Sequence, residues 1–378
     1  MRSSLWIATV VGVFACGTAT VLAQSQPHYD IRVNSAGHFD QKLHDSLVRQ
    51  RAAADGSLDT KQLAAFRDLM LQGGWPTVTA AGRDGVDAAG DLARFATADY
   101  PLQVALKQII GNRISVDIDG LAFARLDDDI EAAHGGHQPF GTLLKLDGGR
   151  VVPWPPTPEL EANRARDFTG LPLLQDYLKA VQARVDAGQS LDSANAIPRL
   201  SAPARELSNL PLRKQLSDMA AADQAARSDY FKAAMKPDSP SWKKIQDVDR
   251  HNLEALKAIF AKYGFPTVAM VGRSGVTATF LLAQHADADR EFQKHALELA
   301  KSLLERGELP RSLYAMLVDR VRLADGKPQL YGTQVKAMDG KVEMLPVEDP
   351  GNLDVRRRSM ALEPEAEYRG EFHMPTSH

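Results

Sequence analysis

One cysteine, Cys16, stands in a chain of 378 residues. A chain with one cysteine forms no internal disulfide and no zinc–thiolate cluster, so its fold rests on an apolar core. The catalytic signatures that spacing alone reveals are missing as well: there is no G-x-S-x-G elbow, no G-x-x-x-x-G-K-[ST] phosphate loop, no H-E-x-x-H and no G-x-G-x-x-G. Beyond residue 22 no apolar run is long enough to span a bilayer. Charge of either sign is not in excess, since 45 Lys and Arg against 48 Asp and Glu leave -3. That balance gives no general attraction to nucleic acid or to an anionic membrane.

The one long apolar run lies at the start. Met1 and Arg2 precede an apolar stretch from Leu5 to Leu22, with Val21 and Ala23 at the positions a signal peptidase reads. This is the pattern of a secretory signal peptide over residues 1–23, and it implies a secreted or periplasmic protein. A retained anchor would want a basic flank, and Gln24-Ser25-Gln26-Pro27 supplies none. Lipidation at Cys16 is disfavoured by the bulky Phe14 and by the apolar residues that follow. The roughly 355 residues left after cleavage are too many for one ordinary core and predict two domains.

Comparing the chain with itself gives the organisation. "GGWPTVTAAGRDGV" at 73–86 recurs as "YGFPTVAMVGRSGV" at 263–276. "LAFARLDDDI" at 121–130 then answers "SLYAMLVDRV" at 312–321, "QPFGT" at 138–142 answers "QLYGT" at 329–333, and Tyr177 answers Tyr368. Collinear matches of this length predict tandem copies of one domain. The first copy covers 24–187, a Ser/Ala/Pro-rich linker 188–203, the second copy 204–369, and a disordered tail 370–378. Each copy reads as two lead-in helices, a Gly-aromatic-Pro turn, a Gly-bounded loop, further helices and a β-hairpin. The hairpin turns are expected at Asp147-Gly148 and Asp339-Gly340. The fold class is therefore α+β, mostly α-helical, as two tandem homologous lobes, each a helical bundle with a short β-hairpin.

The second copy resembles the bacterial family catalogued as domain of unknown function 6624. The resemblance is carried by Gly264-Phe265-Pro266, Val271-Gly272 with Gly275, Gln284-His285-Ala286-Asp287, Asp319-Arg320-Val321, Gln329 to Gln334, Glu348-Asp349-Pro350, Asp354 with Arg356 and Arg357, and Glu367-Tyr368. Phe265 stands where the family usually has Trp, which the first copy keeps as Trp75. The first copy matches only the scaffold half of the pattern. The resemblance implies no particular chemistry and no cofactor.

A duplication separates what the fold needs from what one copy discards. His285 faces Phe95, Asp287 faces Thr97 and Asp289 faces Asp99. Asp289, kept in both, reads as a helix N-cap, and Asp287 against Thr97 exchanges one capping type for another. His285 replaces a hydrocarbon ring, so the fold does not require an imidazole there, although a core histidine is usually a satisfied structural residue. On one continuous helix His285 and Asp287 would point apart; they share a pocket if the helix breaks near Ala286. Gln334 faces Leu143, and Glu348-Asp349 face Thr157-Pro158, whereas Gln329 and Thr333 keep their residue types. Asp319 faces Asp128 and reads as structural, partnered by an arginine. Arg356-Arg357-Arg358 read as a solvated face or ion pairs, or more sharply as a clamp for a carboxylate or phosphate. "HGGH" at 134–137 has metal-like spacing but reads as an exposed loop. A metal centre on His285 with Asp287, Asp319 and Asp349 would have one histidine only, and no metal is expected.

The candidate site thus comprises His285, Asp287 and Asp349 as catalytic groups, with Gln329, Tyr331, Thr333, Gln334, Arg356 and Arg357 toward substrate. In the hydrolytic reading His285 is the general base, and Asp287 or Asp349 orients it. In the alternative the pocket is a non-catalytic module that captures a small molecule or a cell-envelope component.

Overall fold

The computed structural model describes residues 6–7, 29–34, 36–111, 113–114, 118–196, 207–232, 239–338 and 341–371. The signal peptide, but for Trp6 and Ile7, the Asp339-Gly340 turn and most of the expected tail fall outside them. The chain is mostly helical and divides into two compact units, Ala15–Glu206 and Leu207–His378 with Met1–Phe14.

The N-terminal unit runs α1 (Gln41–Ala53), α2 (Thr60–Gly73), α3 (Val78–Phe95), α4 (Tyr100–Gly111), α5 (Gly120–Ala133), β1 (Leu144–Asp147), β2 (Arg150–Pro153), α6 (Glu159–Thr169), α7 (Leu174–Asp186) and α8 (Leu191–Ala194). Sequence sets its boundaries locally. Asp59 and Gln62 form a capping box at the start of α2, and Asp119 accepts the N–H groups of Leu121 and Ala122 at the start of α5. Its core is built from Leu47, Phe66, Met70, Trp75, Leu92 and Leu106, all fully buried. The β1–β2 register pairs Asp147 with Arg150, so the turn is Gly148-Gly149 rather than Asp147-Gly148. Both glycines have positive φ, 57° and 84°, which a two-residue hairpin loop requires and which glycine adopts without steric cost. The expected linker begins with structure instead: Ser190 caps α8, and Ala194 is buried against α7.

The C-terminal unit runs α9 (Leu210–Lys232), α10 (Pro240–Tyr263), α11 (Val268–Gln284), α12 (Arg290–Glu305), α13 (Arg311–Ala324), β3 (Val335–Met338), β4 (Lys341–Met344), a 3-10 turn at Pro350–Asn352, α14 (Leu353–Ser359) and α15 (Glu365–Glu371). Trp6 and Ile7 pair antiparallel with Lys336 and Val335 on β3. Leu216, Leu256, Val271, Phe280, Leu303 and Leu317 lie in its core.

The Gly-aromatic-Pro segment is built alike in the two units. Gly74 (φ 75°) and Gly264 (φ 66°) end α2 and α10, and Trp75 and Phe265 are buried behind them. Where a Gly-bounded loop was expected, α3 and α11 instead continue across a kink at Gly82 (φ 70°, ψ 173°) and Gly272 (φ 71°, ψ 171°). An L side chain pays for that conformation, so the glycine at each kink is a backbone requirement. A Cβ at Gly272 would meet only ordinary contacts, Arg213 Nη1 and Leu207 at 3.5 Å. The cost of Gly272→Ala is then conformational. We expect about 1–2 kcal/mol of destabilisation by urea unfolding, and an unchanged midpoint would contradict the assigned backbone.

Candidate functional site

Two sets of polar residues must be told apart in the C-terminal unit. The first holds a loop. Asp319, fully buried on α13, accepts hydrogen bonds from the N–H groups of Leu330 (2.7 Å), Tyr331 (3.0 Å) and Thr333 (3.0 Å) and from the Thr333 hydroxyl (2.9 Å). The Gln329 amide donates to the Gln334 carbonyl at 3.0 Å and accepts from its N–H at 2.6 Å. Arg357, 1 % exposed, donates to the carbonyls of Glu363 and Tyr331 and lies 4.7 Å from the ring centroid of Tyr368, whose hydroxyl donates to the Thr333 carbonyl. The partner of Asp319 is therefore loop backbone, not an arginine.

The N-terminal unit repeats this network. Asp128 accepts from the N–H groups of Phe140 (2.7 Å) and Thr142 (2.6 Å), Gln138 bonds Leu143 in the same two-way fashion, and Arg166 lies 4.3 Å from the Tyr177 ring centroid. Of the substrate-facing candidates, Gln329, Thr333 and Arg357 thus serve the frame. Tyr331 enters it through its backbone, and its half-buried phenol is pushed up in pKa by burial and the Asp319 charge. Arg356 donates to the Leu330, Glu348 and Asp349 carbonyls and pairs with the Asp349 carboxylate at 3.4 Å. Asp349 lies on the 3-10 turn, left-handed at φ 44°, where it also accepts from Asn352; Glu348 pairs with Arg322. Asp349 has no bond to His285.

The second set surrounds the end of α11. The helix ends at Gln284 with His285 as its cap, the break that lets residues 285 and 287 face one region. Asp289 caps α12 by accepting the Phe292 N–H at 3.0 Å, as its sequence position implies. Gln293 donates to the Gln284 carbonyl (3.0 Å) and to Asp287 (3.0 Å), and Gln103 does the first of these jobs at the end of α3. Asp287 does not cap. It accepts two hydrogen bonds from Arg320 Nη1, at 3.0 and 3.1 Å; the same nitrogen donates to the Gln284 carbonyl at 2.9 Å, and Arg320 Nε donates to the Gln334 side chain at 3.3 Å. Of the residues singled out in the sequence, Asp287 and Gln334 are thus joined through one buried arginine. At the matching place in the N-terminal unit Asp129 pairs with Arg94 at 2.9 Å, so the charges there are reversed.

The partner of His285 comes from elsewhere. Nδ1 lies 3.0 Å from Oδ1 of Asp223 on α9, a side chain 1 % exposed. Arg227, one turn on, places Nη2 3.1 Å from Asp223 and donates to Asp249 of α10 at 2.7 Å. Its Nε–H is directed at the same Nδ1 at 3.0 Å and at Oδ2 of Asp223 at 3.3 Å. With the Arg227 Nε–H taken up by Asp223 Oδ2, Nδ1 carries its proton toward Asp223 Oδ1 and Nε2 is left unprotonated.

These three residues occupy helix that the N-terminal unit does not have. Asp40 N–H to Ala80 O and Asn209 N–H to Met270 O mark the same start for α1 and α9, yet α1 has 13 residues and α9 has 23. Asp223 and Arg227 lie beyond the point where α1 stops, and Asp249 falls within α10 where Asp59 merely caps α2. A comparison of matching sequence segments is blind to an extension. A readable signal existed nonetheless: the buried stripe Leu212, Leu216, Met219, Asp223, Ala226, Tyr230 carries one carboxylate at an apolar position.

Burial pushes the His285 imidazole down from its ordinary pKa, and the Arg227 charge adds to this against the opposing pull of Asp223. The shift favours the neutral ring. Burial alone would raise Asp223, but the hydrogen bond from His285 and the neighbouring charges overturn it and hold the carboxyl at about 2. Asp249 goes the other way. Burial, with Asp223 and Asp287 adding to it, outweighs Arg227 and pushes its carboxyl up to about 7.

A groove of about 620 Å³ along α9 and α10, lined by Met219, Lys243, Val248 and Asn252 among others, does not include Asp223 or His285 and is not part of this site. His134 bonds Gln103 at 2.6 Å and His137 bonds Glu161 at 2.7 Å, so the HGGH histidines serve different partners. Among the described residues no group of three or more His, Cys, Asp or Glu is arranged to hold a metal ion. No helix in these residues is long and apolar enough to cross a membrane.

Residues 211–372, the second part of the chain, match a family of unknown function, DUF6624. No curated protein and no solved structure matches the chain.

Replacing His285 by Phe, the residue at this place in the N-terminal unit, leaves the buried Asp223 without one of its donors. We expect His285→Phe to destabilise by about 1–3 kcal/mol in denaturant unfolding, the cost of an unmet buried acceptor. Stabilisation would mean that the Asp223 contact contributes nothing.

Proposed function

We propose that the C-terminal unit carries a hydrolytic general acid–base site with His285 as base, on an exported protein whose N-terminal unit is a degenerate copy that lacks the site. The observation that carries this reading is the Asp223–His285 pair. A carboxylate on Nδ1 fixes the tautomer and steadies the charge the ring acquires when Nε2 removes a proton from water. Asp223 takes the orienting role that sequence reasoning gave to Asp287 or Asp349. Asp249, near 7, is the group that can return a proton to a leaving oxygen, while Asp223 stays ionised. Two carboxyls of one type whose environments push their pKa values apart mark a division of labour. Asp287, Arg320 and Gln334 face substrate. The repeated loop networks and kinked helices support the duplication, and the apolar N-terminal run supports export to a secreted or periplasmic location.

The reading has a defined pH signature. His285 must be neutral, so the rate falls as pH drops through its lowered pKa. Asp249 must be protonated, so the rate also falls as pH rises through about 7. A panel of carboxyl esters, phosphoesters, peptides and glycosides identifies the scissile bond. On the active member, His285→Gln should lower turnover about 10²–10⁴-fold with little change in affinity, and Asp249→Asn should abolish the alkaline limb. A His285→Gln variant that loses affinity but had no turnover to lose identifies the capture module instead.

A further inference from the structure

What the site binds can be taken further, and this step rests on the reading above for its location. Two arginines from separate helices hold residues 284 to 287, one of them on the histidine itself. Arg227 on α9 lies 3.0 Å from His285 Nδ1, and Arg320 on α13 holds the Gln284 carbonyl and the Asp287 carboxylate, on either side of residue 285. A guanidinium offers five donors in a planar fork, and neither fork is fully used. The bonds of Arg227 employ Nε and Nη2, and those of Arg320 employ Nε and Nη1. Among the described residues Nη1 of Arg227 and Nη2 of Arg320 have no partner. A buried amide beside them is also unmet: both polar side-chain atoms of Gln284 are unpartnered. Buried polar groups in native folds are met, whereas the two guanidinium ends are not buried atoms and keep their N–H donors open to solvent or a ligand. The missing complement is a group with several acceptor oxygens.

We infer that this site seats an oxyanion, a phosphate or carboxylate group of the substrate, on the free ends of Arg227 and Arg320. Bidentate guanidinium forks match the oxygens of either group. The N-terminal unit could not do the same, since Asp129 stands where Arg320 does and α1 ends before the place of Arg227. The nearby carboxylates do not forbid the anion. Arg227 is shared between Asp223 and Asp249, and Asp249, with a carboxyl near 7, takes up a proton as a negative ligand arrives. Anion binding therefore tightens as pH falls through about 7.

Sulfate and acetate titrated into the full chain test this, with the ¹⁵N resonances of the His285 ring as readout. Sulfate keeps its charge across the pH range, so any pH dependence belongs to the protein. A saturable shift with sulfate assigns a tetrahedral, phosphate-like ligand, and one with acetate alone assigns a carboxylate; either supports the inference. Arg320→Gln should weaken that binding at least tenfold and Arg320→Lys less. The thermal midpoint confirms that each variant folds, and wild-type binding reads out without any variant. No saturable shift with either anion, or binding unchanged in folded Arg320→Gln, overturns the oxyanion seat. His285→Gln separates this from the base: sulfate stabilisation that persists there supports the seat even where turnover is absent. Turnover lost there without any anion binding overturns the seat alone.

Discussion

A carboxylate cannot be buried on the apolar stripe of a helix unless donors meet it, and Asp223 is the carboxylate this unit had to accommodate. Meeting it takes the imidazole of His285 and the guanidinium of Arg227. Arg227 in turn needs Asp249 for its remaining charge. That chain of obligations draws α9, α10 and the end of α11 together on polar contacts where three helices would otherwise close on hydrocarbon. It is costly packing. Well-packed apolar residues would hold such helices at least as well; at the place of His285 the N-terminal unit has Phe95, with Arg51 4.9 Å from its ring centroid.

The frame around this cluster is conventional and appears in both units. A buried aspartate on the helix before the hairpin gathers the N–H groups of the next loop, a glutamine staples the loop ends, and a buried arginine stacked on a tyrosine closes it from behind. The aspartates and glutamines are met chiefly by loop backbone. What differs is the material added on top: longer lead-in helices bearing Asp223, Arg227 and Asp249, and an Arg320 whose charge is opposite to that of its counterpart Asp129. Function in this account is an addition to a frame that stands without it.

Much of the frame was legible. The start of α12 followed from Asp289 as its cap and the ends of α2 and α10 from the Gly-aromatic-Pro turns, because capping is local chemistry. The hairpin slipped by one residue, since two adjacent glycines fit the turn better than Asp-Gly, and the Gly-bounded loop proved to be a kink, since one positive φ bends a helix without ending it. At the site, His285 was visible because its counterpart is apolar. Its carboxylate partner was not, because Asp223 lies 62 residues away on a helix extension with nothing to compare it with. Asp349 and Arg356, also singled out in the sequence, are brought together without a bond to His285. Charged residues absent from one copy can as well build a surface turn, and these bond each other and nearby carbonyls.

The central claim is that His285 is neutral, with its proton on Nδ1 toward Asp223 and Nε2 left free. Long-range ¹H–¹⁵N correlation of the imidazole nitrogens between about pH 5.5 and 8, the range in which an ordinary histidine titrates, tests it most directly. The account predicts one protonated nitrogen, Nδ1, and one bare nitrogen at pH 7, with charging only below the ordinary histidine range. A ring that is doubly protonated near neutrality, or that carries its single proton on Nε2, would contradict it.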